Sequence, residues 1–494
     1  MKLNFKSLFL ENLGIRQTIF KNTFWLSLSE VVVQILKLAL IIYTARILGA
    51  EEYGKFSFAL SFVCLFVIFA ELGLSDIITR EFSKNKESEN EYPSIISLKI
   101  FLSLGVFLIM YLGSFFITKE PDIRISIWFL AIFILITSFI NIFYAFFRAR
   151  QKMEHESFFK IIQYVVLTLF SFLVLFIAPS IQNLSFVYFF TNIGMLAVLM
   201  LFFHFFIKPI KLEYHKYIWK KFIVFSWPLI LGFSIGWIYI PVSSVMLGYL
   251  GYHIENGWYS SAYKIIGSAV LSATLVSRSF FPALNVASKV SKEKIQKIWN
   301  YQKELMIILA FPMVVGGVVL APKIIAFFYD SSFIPAVFVF QWLTVVFAID
   351  ILYYPYACAL IIFGYEKKNF VLMLAGLVIN IVVGIILIPV YGLHGVVISN
   401  VISLATVFFL SIIYVVLYTP IFPFNVVLFK TTLIVIVSSV IMFLVIRILN
   451  AYNFHLILLI TIGALAYFFP FTIIYSFFNK SVFGKVKHFV ANII

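Results

Sequence analysis

Apolar runs of about 20 residues recur from residue 22 to residue 478, broken by short segments that carry charges, Gly or Pro. At 1.5 Å rise per residue, a helix of that length matches the hydrocarbon thickness of a bilayer. The pattern predicts fourteen spanning helices, near 22–47, 54–76, 94–117, 125–147, 158–178, 184–207, 222–249, 259–287, 305–328, 335–363, 370–390, 395–418, 430–449 and 455–478. None of these runs alternates apolar and polar positions with period two in blocks of about ten, which excludes a membrane β-barrel.

Composition agrees with that reading. Of 494 residues, 63% are hydrophobic and 12% charged, against roughly 45–50% and about 25% in soluble domains. A soluble enzyme and a disordered regulator are excluded. The net charge is +16, and the cations cluster between spans, where they set topology and meet anionic headgroups and not nucleic acid. If the N-terminus is cytoplasmic, only Arg46, Lys55, Lys119, Arg124 and Arg447 fall on the outer side. The other clusters, such as Arg148, Arg150 and Lys152 or Lys289, Lys292 and Lys294, then all face the cytoplasm. The expected location is the cytoplasmic membrane, with both termini inside.

Residues 1–21 and 479–494 read as basic amphipathic segments on the membrane surface. The polar stretches near 77–93, 208–221 and 288–304 are too short for a catalytic domain. No phosphate-cradling G-x-x-x-x-G-K-[ST] loop, H-E-x-x-H pair or G-x-S-x-G turn occurs. Cys64 and Cys358 lie far apart inside spans, giving neither a disulfide framework nor a zinc spacing. No enzyme activity, metal or cofactor is expected.

Two stretches repeat after about 200 residues. Leu48-Gly49-Ala50-Glu51-Glu52-Tyr53-Gly54 closes the first span as Leu250-Gly251-Tyr252-His253-Ile254-Glu255-Asn256-Gly257 closes the seventh. Arg148-Ala149-Arg150-Gln151-Lys152 follows the fourth span as Gly364-Tyr365-Glu366-Lys367-Lys368 follows the tenth. Six spans per repeat return the chain to the same side, so the repeats are parallel. The expected fold class is all-α integral membrane: two parallel six-helix lobes around a central cavity, plus two C-terminal helices. The expected organisation is an N-lobe at 22–207, a cytoplasmic linker at 208–221, a C-lobe at 222–418 and a detachable final pair at 419–478, flanked by the segments 1–21 and 479–494.

Charges inside spans are costly, at least about 2.5–3.5 kcal/mol each, and face protein or water. Glu30, Gln34 and Lys37 share one stripe of the first span at i, i+4 and i+7. Lys264 and Arg278, about four turns apart, share a face of the eighth. These five are candidate substrate-binding residues, with Arg suited to bidentate phosphate binding and Lys acting as a point charge. The alternative is structural, an interhelical ion pair such as Glu30 with Lys264. Asp350 is a candidate coupling-ion or proton site, or else caps a helix or pairs with Lys323. Glu71 and Lys99 are expected to snorkel from span ends. Pro228, Pro312 and Pro389 mark expected kinks.

Several ordered motifs resemble the oligosaccharide flippase branch of the multidrug, oligosaccharidyl-lipid and polysaccharide exporter superfamily. They are Asn22-Thr23-Phe24-Trp25, Ala45-Arg46-Ile47-Leu48-Gly49, Glu71-Leu72-Gly73-Leu74, Trp227-Pro228-Leu229, Met246-Leu247-Gly248, Tyr259-Ser260-Ser261-Ala262-Tyr263-Lys264, Phe281-Pro282-Ala283-Leu284 and Ile388-Pro389-Val390-Tyr391-Gly392. The chain departs from many relatives at Ser243 and Ser244, where they carry an acidic residue, and in having Lys99. The resemblance implies export of a polyprenyl-phosphate-linked oligosaccharide by alternating access, with glycan polymerases or glycosyltransferases as partners. It leaves a cation-coupled multidrug exporter as the alternative.

Overall fold

The structure, a computed structural model, describes residues 11–84, 86–207, 209, 211–452 and 454–478, without the side chains of 86–88, 226–237, 240, 269, 271, 272, 278 and 478. The tail expected at 479–494, the first ten residues and Pro228 therefore lie outside the described residues. Among those described there are fifteen α-helices and no strand. Eleven stretches are long and apolar enough to cross a membrane, or twelve if the bent pair His253–Ser268 and Ala273–Ser288 is one span. The first stretch, Ile15–Lys84, joins α1 (Ile15–Glu71) to α2 (Leu74–Lys84). It is broken at Gly49, whose φ of 72° and ψ of 175° leave helical space between the first two expected spans.

Two compact units divide between Ser260 and Ser261, inside α8 (His253–Ser279). The first contains α1 and α2, α3 (Tyr92–Ile117), α4 (Pro121–Ala149), α5 (Met153–Ile177), α6 (Ile181–Phe206), α7 (Lys216–Tyr249) and the opening turns of α8. Two large apolar clusters dominate its core. One is built on Phe56, Phe62, Met110, Ile127 and Leu184. The other is an aromatic cluster of Phe82, Tyr92, Phe143, Phe146 and Phe203, with Tyr92 stacked on Phe203 at 5.1 Å.

The repeated motifs meet inside this unit. Gly49 and Gly251 both adopt positive φ, the left-handed turn that glycine permits. Beyond these turns the backbones cross reciprocally. A Cβ on Gly54 would fall on the carbonyl oxygen of His253, and a Cβ on Gly257 would fall on that of Ala50. Asn256 Nδ2 donates to Gly54 O at 2.8 Å. The second repeated motif also ends each helix in the same way. Lys152 N bonds Phe147 O and Tyr365 N bonds Leu360 O, with Gln151 (φ 58°) and Gly364 (φ 80°) at the left-handed position.

The second unit contains α9 (Phe281–Ser288), α10 (Lys292–Phe328), α11 (Ala336–Ile362), α12 (Glu366–Tyr391), α13 (Leu393–Tyr418), α14 (Val426–Ala451) and α15 (Leu456–Phe478). Helix α10 runs unbroken through Pro312 and Pro322. Each proline frees a carbonyl four residues back, and a neighbouring helix satisfies each. Tyr467 OH donates to Ile308 O at 2.9 Å, and Gln341 Nε2 donates to Val318 O at 3.1 Å. The segment 419–478 is tied to α10 along its length. Lys303 Nζ donates to Pro423 O at 2.6 Å, Tyr475 OH to Glu304 Oε2 at 3.2 Å, and Lys323 Nζ to Phe454 O at 3.0 Å.

Candidate functional site

Helix α1 runs alongside α5 in the same direction, and polar side chains bridge them in a ladder. Apolar surface gives no driving force between helices in lipid, so packing and interhelical hydrogen bonds must hold them. Small buried residues on α5, Ser157 and Ser171, let the backbones approach. At one end Lys21 Nζ lies 2.8 Å from Glu154 Oε2, with 1% and 12% of the two side chains exposed. Asn22 Nδ2 donates to Gln151 Oε1 at 2.7 Å. At the other end Tyr43 OH donates to Phe172 O at 3.4 Å.

Between these closed ends lies the stripe expected from the sequence. Glu30 accepts from Gln34 Nε2 at 3.0 Å and from Lys160 Nζ at 2.7 Å. One turn on, the Lys37 ammonium sits 4.8 Å from the centroid of Tyr164. The middle of the ladder is accessible, with 47% of the Glu30 side chain and 27% of the Lys160 side chain exposed. The residues Glu30, Gln34 and Lys37 thus share a face as their spacing predicted. The ion pair of Glu30 is with Lys160 of α5, which is one correction to the sequence reading that offered Lys264. Both Lys160 and Tyr164 were missed. Their signal lay in the run Ser157, Lys160, Tyr164, Thr168 and Ser171, which places five polar or hydroxyl-bearing residues on one helical face at i+3 and i+4 spacing.

In the second unit Lys264 is half-buried on α8, its carbonyl accepting from Ser268 Oγ at 2.9 Å. Arg278 lies outside the described residues. Asp350, on α11, accepts from Tyr354 OH at 2.9 Å, and that phenol oxygen also lies 3.2 Å from the donor Thr274 Oγ1 on α8. The carboxylate is thereby linked through one phenol to the helix that carries Lys264. Lys323, the cation suggested for Asp350, bonds the carbonyl of Phe454 instead.

Lys99 corrects a second expectation. It does not snorkel. It is 1% exposed, and its ammonium bonds Ser138 Oγ and, at 2.7 Å, Ala70 O at the end of α1. Helix α1 stops there because Leu72 and Gly73 take positive φ, leaving carbonyls that a cation can cap. Glu71 beside it accepts from Asn141 Nδ2 at 2.6 Å. Lys99 thus closes a helix end, and Glu71 is held within the bundle.

These features define a multi-pass helical membrane protein whose spans carry paired and aromatic-seated charges. The chain belongs to the polysaccharide biosynthesis protein family, whose sequence profile matches residues 19–287. Among solved structures it is similar to the lipid II flippase MurJ in an inward closed conformation, at 16% identity and a TM-score of 0.73, over 92% of this chain and 99% of that one. It is also similar to an inward-facing multidrug resistance MATE family transporter of the MOP superfamily, at 12% identity and 0.63, over 78% and 95%. A MOP superfamily transporter from Pyrococcus furiosus, described by a binding pocket of reverse polarity, aligns at 12% identity and 0.54, over 81% and 96%. At these identities the likeness establishes the fold. No curated protein matches the chain in sequence.

Proposed function

We propose that the protein is a flippase that moves a polyprenyl-phosphate-linked oligosaccharide from the cytoplasmic to the outer leaflet by alternating access, for surface glycan biosynthesis. In this reading fourteen spans form two parallel six-helix lobes around a central cavity, with a final helix pair and both termini in the cytoplasm. Lys37, Lys264 and Arg278, with Glu30 and Gln34, line the path taken by the pyrophosphate and acidic sugars. Glycan polymerases or glycosyltransferases act before and after it. Asp350 is a candidate coupling site.

The observation that carries this reading is Lys37. It is an ammonium inside a span, seated on the Tyr164 ring. An aromatic face stabilises a cation without cancelling its charge, as a carboxylate would. An anionic headgroup therefore meets net positive potential there. The membrane potential contributes about 2.3 kcal/mol per charge per 100 mV to such transport. A cation-coupled multidrug exporter is the second reading, favoured by the fold shared with a MATE transporter. Its usual cationic substrates call for acidic groups in place of Lys37 and Lys264.

The test is complementation. In a strain lacking its lipid-linked-glycan flippase, the wild-type chain is expected to restore surface glycan. At equal membrane abundance, Lys37→Ala, Lys264→Ala and Arg278→Ala should each lower it by about tenfold, the loss of roughly one charge-assisted contact. Full restoration by all three variants, or drug resistance in place of glycan export, overturns the assignment.

A further inference from the structure

On its far side from the charged ladder, α5 forms with α6 an apolar groove of about 730 Å³, lined by Phe158, Phe170, Phe186 and Phe190 over a floor that includes Gln163 and Met195. Its rings are open to the surroundings, with Phe158 57% and Phe190 60% exposed. A notch deepens it at Gly194, where an added Cβ would have nothing within 4 Å. We propose that this groove holds the polyprenyl chain of an anionic lipid carrier. The inference rests on the flippase reading and extends it to the tail of the same substrate.

Two features choose this occupant over an ordinary phospholipid. The first is length. The lining runs along α5 from Phe158 to Val174, about 24 Å at 1.5 Å per residue. One leaflet offers only about half of the ~30 Å hydrocarbon core. An acyl chain confined to a leaflet fills part of such a groove, whereas a polyprenyl chain is long enough to follow it across the midplane. The second is charge at the ends. Beyond Phe158 lies the exposed cation Lys152. At the other end, Ala178, Pro179, Ser180 and Asn183 carry no charge. A phosphate is thus favoured at one mouth only, the mouth that the Lys and Arg distribution assigns to the cytoplasm. With its tail laid across both leaflets, a carrier can swing its headgroup to the other side without withdrawing the chain.

The full-length protein in neutral phosphatidylcholine nanodiscs, labelled with a diazirine-bearing polyprenyl phosphate, tests this. Crosslinks are expected on peptides within 158–198. Unlabelled polyprenyl phosphate should compete about tenfold better than phosphatidylglycerol. Gly194→Leu, which fills the notch, should cut labelling about tenfold at an unchanged melting temperature, and the milder Gly194→Ser should cut it less. Equal competition by phosphatidylglycerol, or undiminished labelling in both Gly194 variants, overturns the proposal. Lys37→Ala should lower complementation about tenfold and leave groove labelling intact. A wild-type chain that labels selectively but never complements refutes the flippase reading alone, and one that complements with no selective labelling refutes the groove alone.

Discussion

Two polar regions, one in each unit, use the same residue types differently. Between α1 and α5, charged groups meet side chain to side chain, and the middle of the ladder stays open to its surroundings. Around α10, where it meets α11 and the segment 419–478, Lys303, Lys323, Gln341 and Tyr467 donate to backbone carbonyls left open by prolines, loops or a helix end. The first arrangement retains charge that a ligand can use. The second commits these four donors to the chain itself. A lysine inside the membrane is therefore not by itself a sign of transport: Lys303 and Lys99 are buried and committed to backbone, while Lys37 rests on a ring.

That contrast is breakable by substitution. The largest effect is expected at Lys37, where Lys37→Ala should lower glycan export about tenfold and Lys37→Arg should restore part of it, with the melting temperature in detergent unmoved. A drop in melting temperature matching the loss of export would place Lys37 with the structural group. Lys303→Met should do the reverse. It strips the buried Pro423 carbonyl of its donor and removes the ammonium 3.8 Å from the Trp299 ring, costing about 1–3 kcal/mol of stability. Export per folded molecule should stay normal. Tyr467→Phe leaves the Ile308 carbonyl open at a cost of about 0.6–1.7 kcal/mol, typical of hydrogen bonds between membrane helices, measurable as a lower midpoint in denaturant titration. The smallest effect is expected from the Glu30 and Lys160 pair. Because both side chains are partly exposed, a double-mutant cycle should give a coupling of at most about 1 kcal/mol. A coupling above 3 kcal/mol would mean that the pair is sealed from water and that the ladder resembles the second region after all.

Much of this was legible from the residues. Apolar run length gave the helical spans because a bilayer admits few alternatives, and helical period gave the shared face of Glu30, Gln34 and Lys37. Partners were not legible. Lys160 lies 130 positions from Glu30, and nothing local distinguishes it from Lys264 as the counter-ion. Lys99 looked like a snorkelling residue because its distance from a span end is short. Its burial depends on α1 stopping at Ala70 to Leu72, which places unpaired carbonyls beside it. Pro312 read as a kink because a proline announces the bond it removes but not the Tyr467 that replaces it. Most ties of the segment 419–478 to α10 run through backbone oxygens, such as those of Pro423 and Phe454, which side-chain pattern does not show.

The reciprocal crossing of Gly54 and Gly257 has a consequence for biogenesis. The two partners are 203 positions apart, so at 5–20 residues per second the ribosome delivers the second roughly 10–40 s after the first. Throughout that interval the nascent first half sits in the insertion machinery with the Ala50 to Gly54 backbone uncovered. A stall or truncation before Gly257 strands it there, a state that quality-control proteases should recognise. Side chains larger than hydrogen at either position would turn that passing delay into a permanent one.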